Sequence, residues 1–104
     1  MVGKYRVITL CGSTRFQEAF LEAQRRLTLA GNIVLSVGFF GHAEGEILAP
    51  ETKEMLDDMH KRKIDMADEI FVVNVGGYIG SSTRSEIAYA EAAGKPVRYL
   101  EPIE

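Results

Sequence analysis

The sequence predicts a three-layer α/β domain, in which a short parallel sheet of four strands is flanked by helices on both faces. Four apolar, β-branched segments alternate along the chain with three segments of helical periodicity. No hairpin turn separates consecutive strands, and strands that are joined through helices run parallel and bury both faces of their sheet. The 104 residues contain no repeat, linker or low-complexity segment, so we predict one domain over residues 1–104.

The first half of the chain predicts a strand, a helix and a second strand. The first strand covers residues 5–10 and stops at Cys11-Gly12-Ser13, where a glycine and a serine favour a turn into a helix. Apolar residues then recur at three- and four-residue steps as far as residue 30, and Gly31 is typical of a helix end. Residues 32–37 predict the second buried strand.

The second half predicts two more helices and two more strands. A glycine-rich loop over residues 38–50 contains His42, which we expect either to contact a ligand or to lie exposed. A helix follows over residues 51–67, and residues 69–75 form the most apolar strand. After a loop rich in glycine and serine, residues 83–93 predict the last helix and residues 97–100 the last strand.

Composition excludes several classes of protein. Hydrophobic residues make up 46% of the chain and charged residues 26%, which is typical of a globular domain rather than a disordered tail or a fibre. No apolar run approaches the ~20 residues that cross a bilayer, no signal peptide is recognisable, and a net charge of −3 does not favour nucleic acid as a partner. The single cysteine forms no internal disulfide, so we expect a cytoplasmic protein without membrane association.

Three loops should surround one site, because ligands of parallel α/β sheets bind beyond the carboxyl ends of the strands. They cover residues 11–15, 38–42 and 76–86. The first loop (CGSTR) precedes a helix, so its amides, the Ser13 hydroxyl and the Arg15 guanidinium suit a phosphate. Alternatively, Ser13 or Thr14 caps that helix and Arg15 is solvated. Spacing alone favours neither interpretation.

The third loop (GGYIGSSTRSE) contains glycines and serines that let a sugar or phosphate approach the backbone. Glu86 lies about one turn into the following helix, where the helix dipole favours the ionised carboxylate that a nucleophile needs. A capping box with Ser82 or Thr83 is the alternative, and the pattern alone favours capping. Cys11 is expected in the core, and two histidines and one cysteine at wide spacing predict no zinc site.

At these loops the chain resembles the nucleoside 2-deoxyribosyltransferase superfamily, and the resemblance spans nearly its whole length. Those enzymes carry a catalytic glutamate in a segment of the form E-[IL]-G-x-A followed by G-K-P-V, and here EIAYA at residues 86–90 precedes GKPV at residues 94–97. The CGSTR loop is similar to the C-G-S-I-R segment of the 2′-deoxynucleoside 5′-monophosphate N-hydrolase branch. The Ala67-Asp68 pair before the third strand also matches. The resemblance implies a flavodoxin/Rossmann-like fold.

The resemblance also implies roles for individual residues. Glu86 is the expected nucleophile. His60 occupies the position at which these enzymes carry a site aspartate, so His60, or Asp57 or Asp58 from neighbouring positions, is expected to take that role. The expected substrate-binding residues lie in the three loops, with Ser13 and Arg15 on the phosphate and Phe39 or Tyr78 stacked on the base; the others are Cys11, Gly12, Gly77, Gly80, Ser81 and Ser82.

We therefore predict cleavage of the N-glycosidic bond of a (deoxy)nucleoside 5′-monophosphate, by hydrolysis or base transfer, through a covalent glycosyl-enzyme on Glu86 and without a metal or organic cofactor. One alternative is a nucleotide-binding or sensor module without turnover. Another is a phosphoribohydrolase of the cytokinin-activating type, whose P-G-G-x-G-T loop resembles GGYIGS at residues 76–81. Large apolar residues in excess of what so small a core buries predict a homodimer, namely Phe39, Phe40, Met55, Met59 and Tyr89.

Overall fold

The computed structural model describes residues 1–41, 45 and 47–103. Over these residues four strands alternate with three helices, which confirms the predicted α/β class. The elements are β1 (Val7–Cys11), α1 (Gln17–Leu29), β2 (Ile33–Leu35), α2 (Pro50–Asp65), β3 (Glu69–Val72), a short 3-10 helix (Val75–Gly77), α3 (Ser81–Ala92) and β4 (Val97–Tyr99). None of these helices is long and apolar enough to cross a membrane. His42 lies outside the described residues.

All four strands run parallel, in the order β2-β1-β3-β4. The chain passes from β1 outward to β2 and then returns to pair β3 with the opposite side of β1. The direction of strand addition therefore reverses between β1 and β3. In flavodoxin/Rossmann-like folds such a reversal opens a ligand-binding crevice at the carboxyl ends of the two strands, which here are Cys11 and Val72.

The core consists of two apolar layers, one on each face of the sheet. Alternate strand residues point to opposite faces, so Leu10 packs with Phe20 of α1 whereas Cys11 packs with Ile64 of α2 and Ala90 of α3. Burial of apolar surface contributes about 25 cal/mol for each Å² removed from water. The last side chain of β1 therefore faces the two helices that carry the candidate catalytic residues.

Most elements begin or end one to three residues away from their predicted bounds, and two of these differences shape the crevice. The third strand, predicted over residues 69–75, stops at Val72 because the chain turns into the 3-10 helix, where Gly76 and Gly77 have φ values of 64° and 81°. This left-handed backbone favours glycine and is incompatible with a strand. The last helix, predicted from residue 83, begins at Ser81 because Gly80 has the extended backbone of an N-cap. The first turn of α3 consequently reaches the crevice.

Lys95 connects the loop before β4 to the end of α2. Its Nζ donates hydrogen bonds to the carbonyl oxygens of Ile64, Asp65 and Ala67, each at 2.8 Å. The last carbonyls of a helix have no partner within the helix, and a lysine there also opposes the negative end of the helix dipole. The lysine of the GKPV segment thus stabilises the fold rather than contributing to the crevice.

A buried carboxylate joins three strands at the end of the sheet that is remote from the crevice. Glu69, the first residue of β3, accepts hydrogen bonds from Nε of Arg6 and from Nε of Arg98, the latter at 2.7 Å. The Glu69 side chain is 4% exposed, whereas both arginines reach solvent. Two guanidinium groups compensate the desolvation of this carboxylate, so its charge has a structural role.

The large apolar residues that predict a homodimer divide into two sets. Phe40 packs against the core of the same chain, and Phe39 lines the crevice. Met55, Met59 and Tyr89 keep 51%, 45% and 36% of their surface exposed. Of the five, these three remain exposed on α2 and α3 and available to a second copy.

Candidate active site

A cavity of about 700 Å³ opens at the carboxyl ends of β1 and β3. Its walls come from the loop after β1, the loop after β2, one face of α2, and the loop and first turns of α3. Most of the residues that the sequence predicts for the site line it, namely Gly12, Ser13, Arg15, Phe39, His60, Tyr78, Gly80, Ser81, Ser82 and Glu86. The fold therefore brings the predicted loops around one space.

Three predicted site residues do not line the cavity. Cys11 is wholly buried and lies beside Glu86 beneath the cavity surface. Gly77 belongs to the 3-10 helix, and Asp58 is exposed on α2. Asp57, one residue earlier, does line the cavity, so α2 presents this carboxylate rather than that of Asp58 to the site.

The turn after β1 requires glycine at position 12. Gly12 has a φ of 148°, and a Cβ on it would come within 2.8 Å of the carbonyl oxygen of Val73. The first loop lies against β3 because residue 12 has no side chain. Ser13 then accepts hydrogen bonds at Oγ from the amide and the Nε of Arg15, at 3.3 and 3.1 Å. Since α1 begins only at Gln17 and has no side-chain cap, the alternative in which Ser13 or Thr14 caps this helix is wrong.

Arg15 joins the first and third loops at the mouth of the cavity. Its guanidinium carbon lies 4.5 Å from the centroid of the Tyr78 ring, and Phe16 meets the same ring edge-on at 5.9 Å. A guanidinium is attracted to the face of an aromatic ring. Among the described residues Arg15 forms no salt bridge, so its charge is available to an anion at the mouth.

The first turn of α3 supplies a second feature that favours an anion. Its N-cap is Gly80, which has no side chain, so the amides of this turn receive no side-chain cap. These amides and the positive end of the helix dipole attract negative charge. Lys53 of α2 lies beside them and donates hydrogen bonds to Ser82 Oγ and Asp57 Oδ2, each at 3.2 Å.

Glu86 lies in the second turn of α3, with 8% of its surface exposed. This position is too far into the helix for a capping box, so the capping interpretation is wrong. Burial raises the pKa of Glu86 to about 7, against the opposing effects of a hydrogen bond from the Cys11 thiol and of the charges of Lys61 and Lys53. Desolvation therefore outweighs the helix dipole, and protonated and ionised forms coexist at neutral pH.

His60 is a buried, neutral imidazole. Its Nε2 lies 2.9 Å from the carbonyl oxygen of Leu10, and because a carbonyl only accepts, Nε2 carries the proton and donates it. Burial, together with the charge of Lys63, lowers the pKa of His60 to about 4. At neutral pH His60 therefore carries no charge with which to replace an aspartate.

Cys11, His60 and Glu86 form a buried cluster in which one ligand-type atom from each lies within 4.8 Å of the others. Their wide spacing in the sequence predicts no zinc site, yet the fold brings together three residue types that zinc binds. Nε2 of His60 is already occupied, because it donates to Leu10, and the thiol lies beside the carboxyl. Burial also raises the pKa of the thiol well above 9, which keeps its proton in place. We interpret the cluster as polar side chains packed together, of which His60 bonds outside the cluster to Leu10.

Two lysines of the cavity wall are not among the residues predicted from the sequence. Lys53 lies next to Asp57 and the first turn of α3, as described above. Lys63 donates a hydrogen bond to the carbonyl oxygen of Ser36 at 2.6 Å, and burial lowers the pKa of its amine. A signal for them exists, because Lys53, Asp57, His60 and Lys63 recur at steps of four, three and three residues and share one face of α2.

Comparisons with protein-family models and with curated proteins find no match for this chain. The functional argument therefore rests on the geometry of the cavity and on the residues of the loops that border it. Among these residues, the buried carboxyl of Glu86 and the positive groups at the mouth indicate a chemical role most directly.

We expect Glu86→Gln to stabilise the protein at alkaline pH but not at acidic pH. The pKa of the carboxyl rises from 4.5 in the unfolded chain to about 7 in the folded one, so the stability that its protonated form provides is complete below pH 4.5 and is lost as the pH rises through 7. The loss is about 3 kcal/mol. Glutamine stays uncharged, so the Glu86→Gln protein does not lose this stability as the pH rises. Thermal unfolding at about pH 5 and about pH 8 measures the difference.

The matched control is Glu91→Gln, which removes a carboxylate from an exposed position of the same helix. It should change the unfolding temperature little at either pH. An equal effect of Glu86→Gln at both pH values would contradict the raised pKa of Glu86.

Proposed function

We propose that this protein cleaves the N-glycosidic bond of a (deoxy)nucleoside 5′-monophosphate, by hydrolysis or by transfer of the sugar to another base. The observation that carries the proposal is a buried carboxyl, that of Glu86, in a cavity whose mouth holds Arg15 and the uncapped first turn of α3. A carboxylate attacks or stabilises an electron-poor sugar carbon, and the groups at the mouth suit a phosphate. The resemblance of the loops to deoxyribosyltransferases and N-hydrolases supports the same chemistry.

In this mechanism Glu86 is the nucleophile. Its carboxylate bonds to the anomeric carbon while the bond from that carbon to the base breaks, and the electron pair leaves with the base nitrogen. The carboxylate also stabilises the positive charge that develops on the sugar. Water or a second base then displaces Glu86 from the glycosyl ester, and two inversions leave the configuration of the sugar unchanged. Only the ionised fraction of Glu86 reacts, and its pKa of about 7 makes that fraction substantial at neutral pH.

The phosphate is proposed to bind at the mouth of the cavity. Arg15 is exposed and positioned there by Ser13 and Tyr78, and its planar guanidinium pairs with two phosphate oxygens at once. The first turn of α3 lines the same cavity, next to Lys53, and its amides provide further donors. A neutral nucleoside would leave these donors without their anionic partner.

The base is proposed to occupy the apolar side of the cavity. Phe39 and Val37 of the loop after β2 line this side, together with Leu56 and Met59 of α2. Flat aromatic rings of nucleobases bind well against such surfaces, with a few polar groups fixing their orientation. Tyr78, which also lines the cavity, provides a further aromatic face.

A nucleotide-binding module without turnover is the second candidate. The uncapped first turn of α3 and Arg15 bind an anion whether or not Glu86 is ionised. Such a module tolerates the loss of the Glu86 charge, whereas the enzyme does not. A phosphoribohydrolase of the cytokinin-activating type would differ in its sugar, so a substrate screen has to include both riboside and deoxyriboside monophosphates.

We expect the protein to release free base from a nucleoside monophosphate, and Glu86→Gln to lower the rate by at least about a thousandfold, as loss of a covalent nucleophile does. Incubation with riboside and deoxyriboside monophosphates of each common base, followed by chromatography, measures this. Glu91→Gln, the exposed control on α3, should keep full activity. Binding without base release, unaffected by Glu86→Gln, would support the binding module instead.

Arg15→Ala tests the phosphate site. A charge-assisted hydrogen bond contributes roughly 1.5–3 kcal/mol, so kcat/KM for the monophosphate should fall about 10- to 150-fold. Turnover of the corresponding nucleoside should change little. Arg25→Ala, which removes an exposed arginine of α1 away from the cavity, is the control. If Arg15→Ala lowers both rates equally, Arg15 does not bind the phosphate.

We also propose a homodimer that forms through the exposed side of α2 and α3. Met55 and Met59 lie one turn apart, Tyr89 adds a third apolar group, and Met59 also lines the cavity, so a second copy would border the site. Light scattering at micromolar concentration should give twice the 11.5 kDa mass of the chain. Met55→Lys should dissociate the dimer and Leu29→Lys, an exposed apolar position on α1, should not. A wild-type monomer would exclude this assembly.

A further inference from the structure

The thiol of Cys11 lies where the sheet meets the candidate nucleophile. Cys11 is the last residue of β1, pairs with Val72 of β3, and is wholly buried. Its amide plane is anchored because its carbonyl oxygen accepts a 2.7 Å hydrogen bond from the amide of Val73. The side chain faces α2 and α3, and its sulfur lies within 4.8 Å of a carboxyl oxygen of Glu86. A rigid strand therefore presents the thiol to Glu86.

The other polar groups around Glu86 come from α2. His60 shares the buried cluster, but its Nε2 proton is directed to the carbonyl of Leu10. Asp57, Lys53 and Lys61 act on the carboxyl through their charges. Lys53 and Asp57 also bond to each other, which weakens the net field of the pair. The Cys11 thiol is thus placed beside the carboxyl as a donor, and α2 contributes the electrostatic surroundings.

A thiol suits this place because it remains a donor while Glu86 ionises. Burial, together with the neighbouring carboxyl, raises the pKa of Cys11 well above 9, so the sulfur does not become a competing anion or nucleophile. An S–H group is also a weak donor. It restrains the carboxylate without stabilising its charge as strongly as several amide donors would, and the carboxylate keeps its nucleophilicity.

We infer that Cys11 is a positioning residue, whose buried thiol donates a hydrogen bond to the Glu86 carboxyl and holds it in one orientation toward the cavity. The inference rests on the proposed function, in which Glu86 attacks the sugar. During that attack one carboxylate oxygen bonds to the anomeric carbon and the other becomes the ester carbonyl, which still accepts the thiol proton. When water hydrolyses the ester, the regenerated carboxylate again accepts a hydrogen bond from the thiol.

The experiment compares the dependence of kcat/KM on pH for the wild type, Cys11→Ala and Cys11→Ser. The wild-type rate should rise with pH through a midpoint near 7, as Glu86 ionises. Cys11→Ala removes the donor, so the midpoint should move up by about 0.5–1 pH unit and the plateau rate should fall about tenfold. Cys11→Ser restores a donor and should move the midpoint back toward that of the wild type.

Ile64→Val is the matched control for packing. Ile64 lies in the same buried cluster of apolar residues as Cys11 but does not line the cavity. Its truncation should lower the unfolding temperature without moving the midpoint of the pH profile. An unmoved midpoint in Cys11→Ala, with wild-type activity intact, would overturn the positioning role.

A titration of the Glu86 side-chain carboxyl by ¹³C NMR gives the same comparison without turnover. It should show the upward shift in Cys11→Ala and its reversal in Cys11→Ser, and identical titrations of all three proteins would overturn the inference. If Cys11→Ala does not fold, Cys11→Val, which also lacks a donor but fills more of the buried space, replaces it in the same comparison, and an unshifted titration in Cys11→Val overturns the inference. A wild type that releases no base overturns the proposed function, and the NMR titration still tests Cys11.

Discussion

The pairing of β1 with β3 at the centre of the sheet is the constraint on which the site depends. The register places Cys11 opposite Val72, and the carbonyl of Cys11 receives the amide of Val73 where the two strands end. At this point the strand order reverses, so the loops that follow both strands diverge and leave a cavity between them. Gly12 permits the first loop to remain against β3, since any side chain there would meet the Val73 carbonyl.

At Glu86, the ionisation that the proposed function requires also lowers the stability of the fold. The Glu86 carboxyl is removed from water by α2, α3 and the end of β1, and desolvation raises its pKa to about 7. Ionisation therefore destabilises the fold at the pH values at which the carboxylate would act as the proposed nucleophile. The positive groups lie elsewhere, at the mouth, where Arg15 rests on Tyr78 and Lys53 lies beside the first turn of α3. This separation of a buried carboxyl from exposed cations suits a substrate with a neutral sugar and an anionic phosphate.

The sequence predicts the class and order of the elements, because strands buried on both faces and helices with one apolar stripe have distinct periodicities. The predictions that are wrong concern where the elements begin and end. Val73 and Val75 continue the strand pattern, but the left-handed Gly76 and Gly77 turn the chain, and α3 begins after Gly80, two residues early. That early start moves Glu86 from the first turn to the second, which removes the capping interpretation. Local patterns do not settle such ends, because helix termini depend on which backbone groups the neighbouring strand leaves free.

The sequence by itself determined the α/β class, the three loops at the strand ends and most of the residues that line the cavity, since these follow from periodicity and from the rule for parallel sheets. Only the tertiary structure decided the surroundings of each functional group. It placed Cys11 and His60 beside Glu86, turned Asp57 rather than Asp58 toward the cavity, and directed Lys95 to the end of α2. These residues are distant in the chain, and their contacts depend on strand register and helix rotation. The pKa of a buried carboxyl depends in turn on those contacts, so no local pattern specifies it.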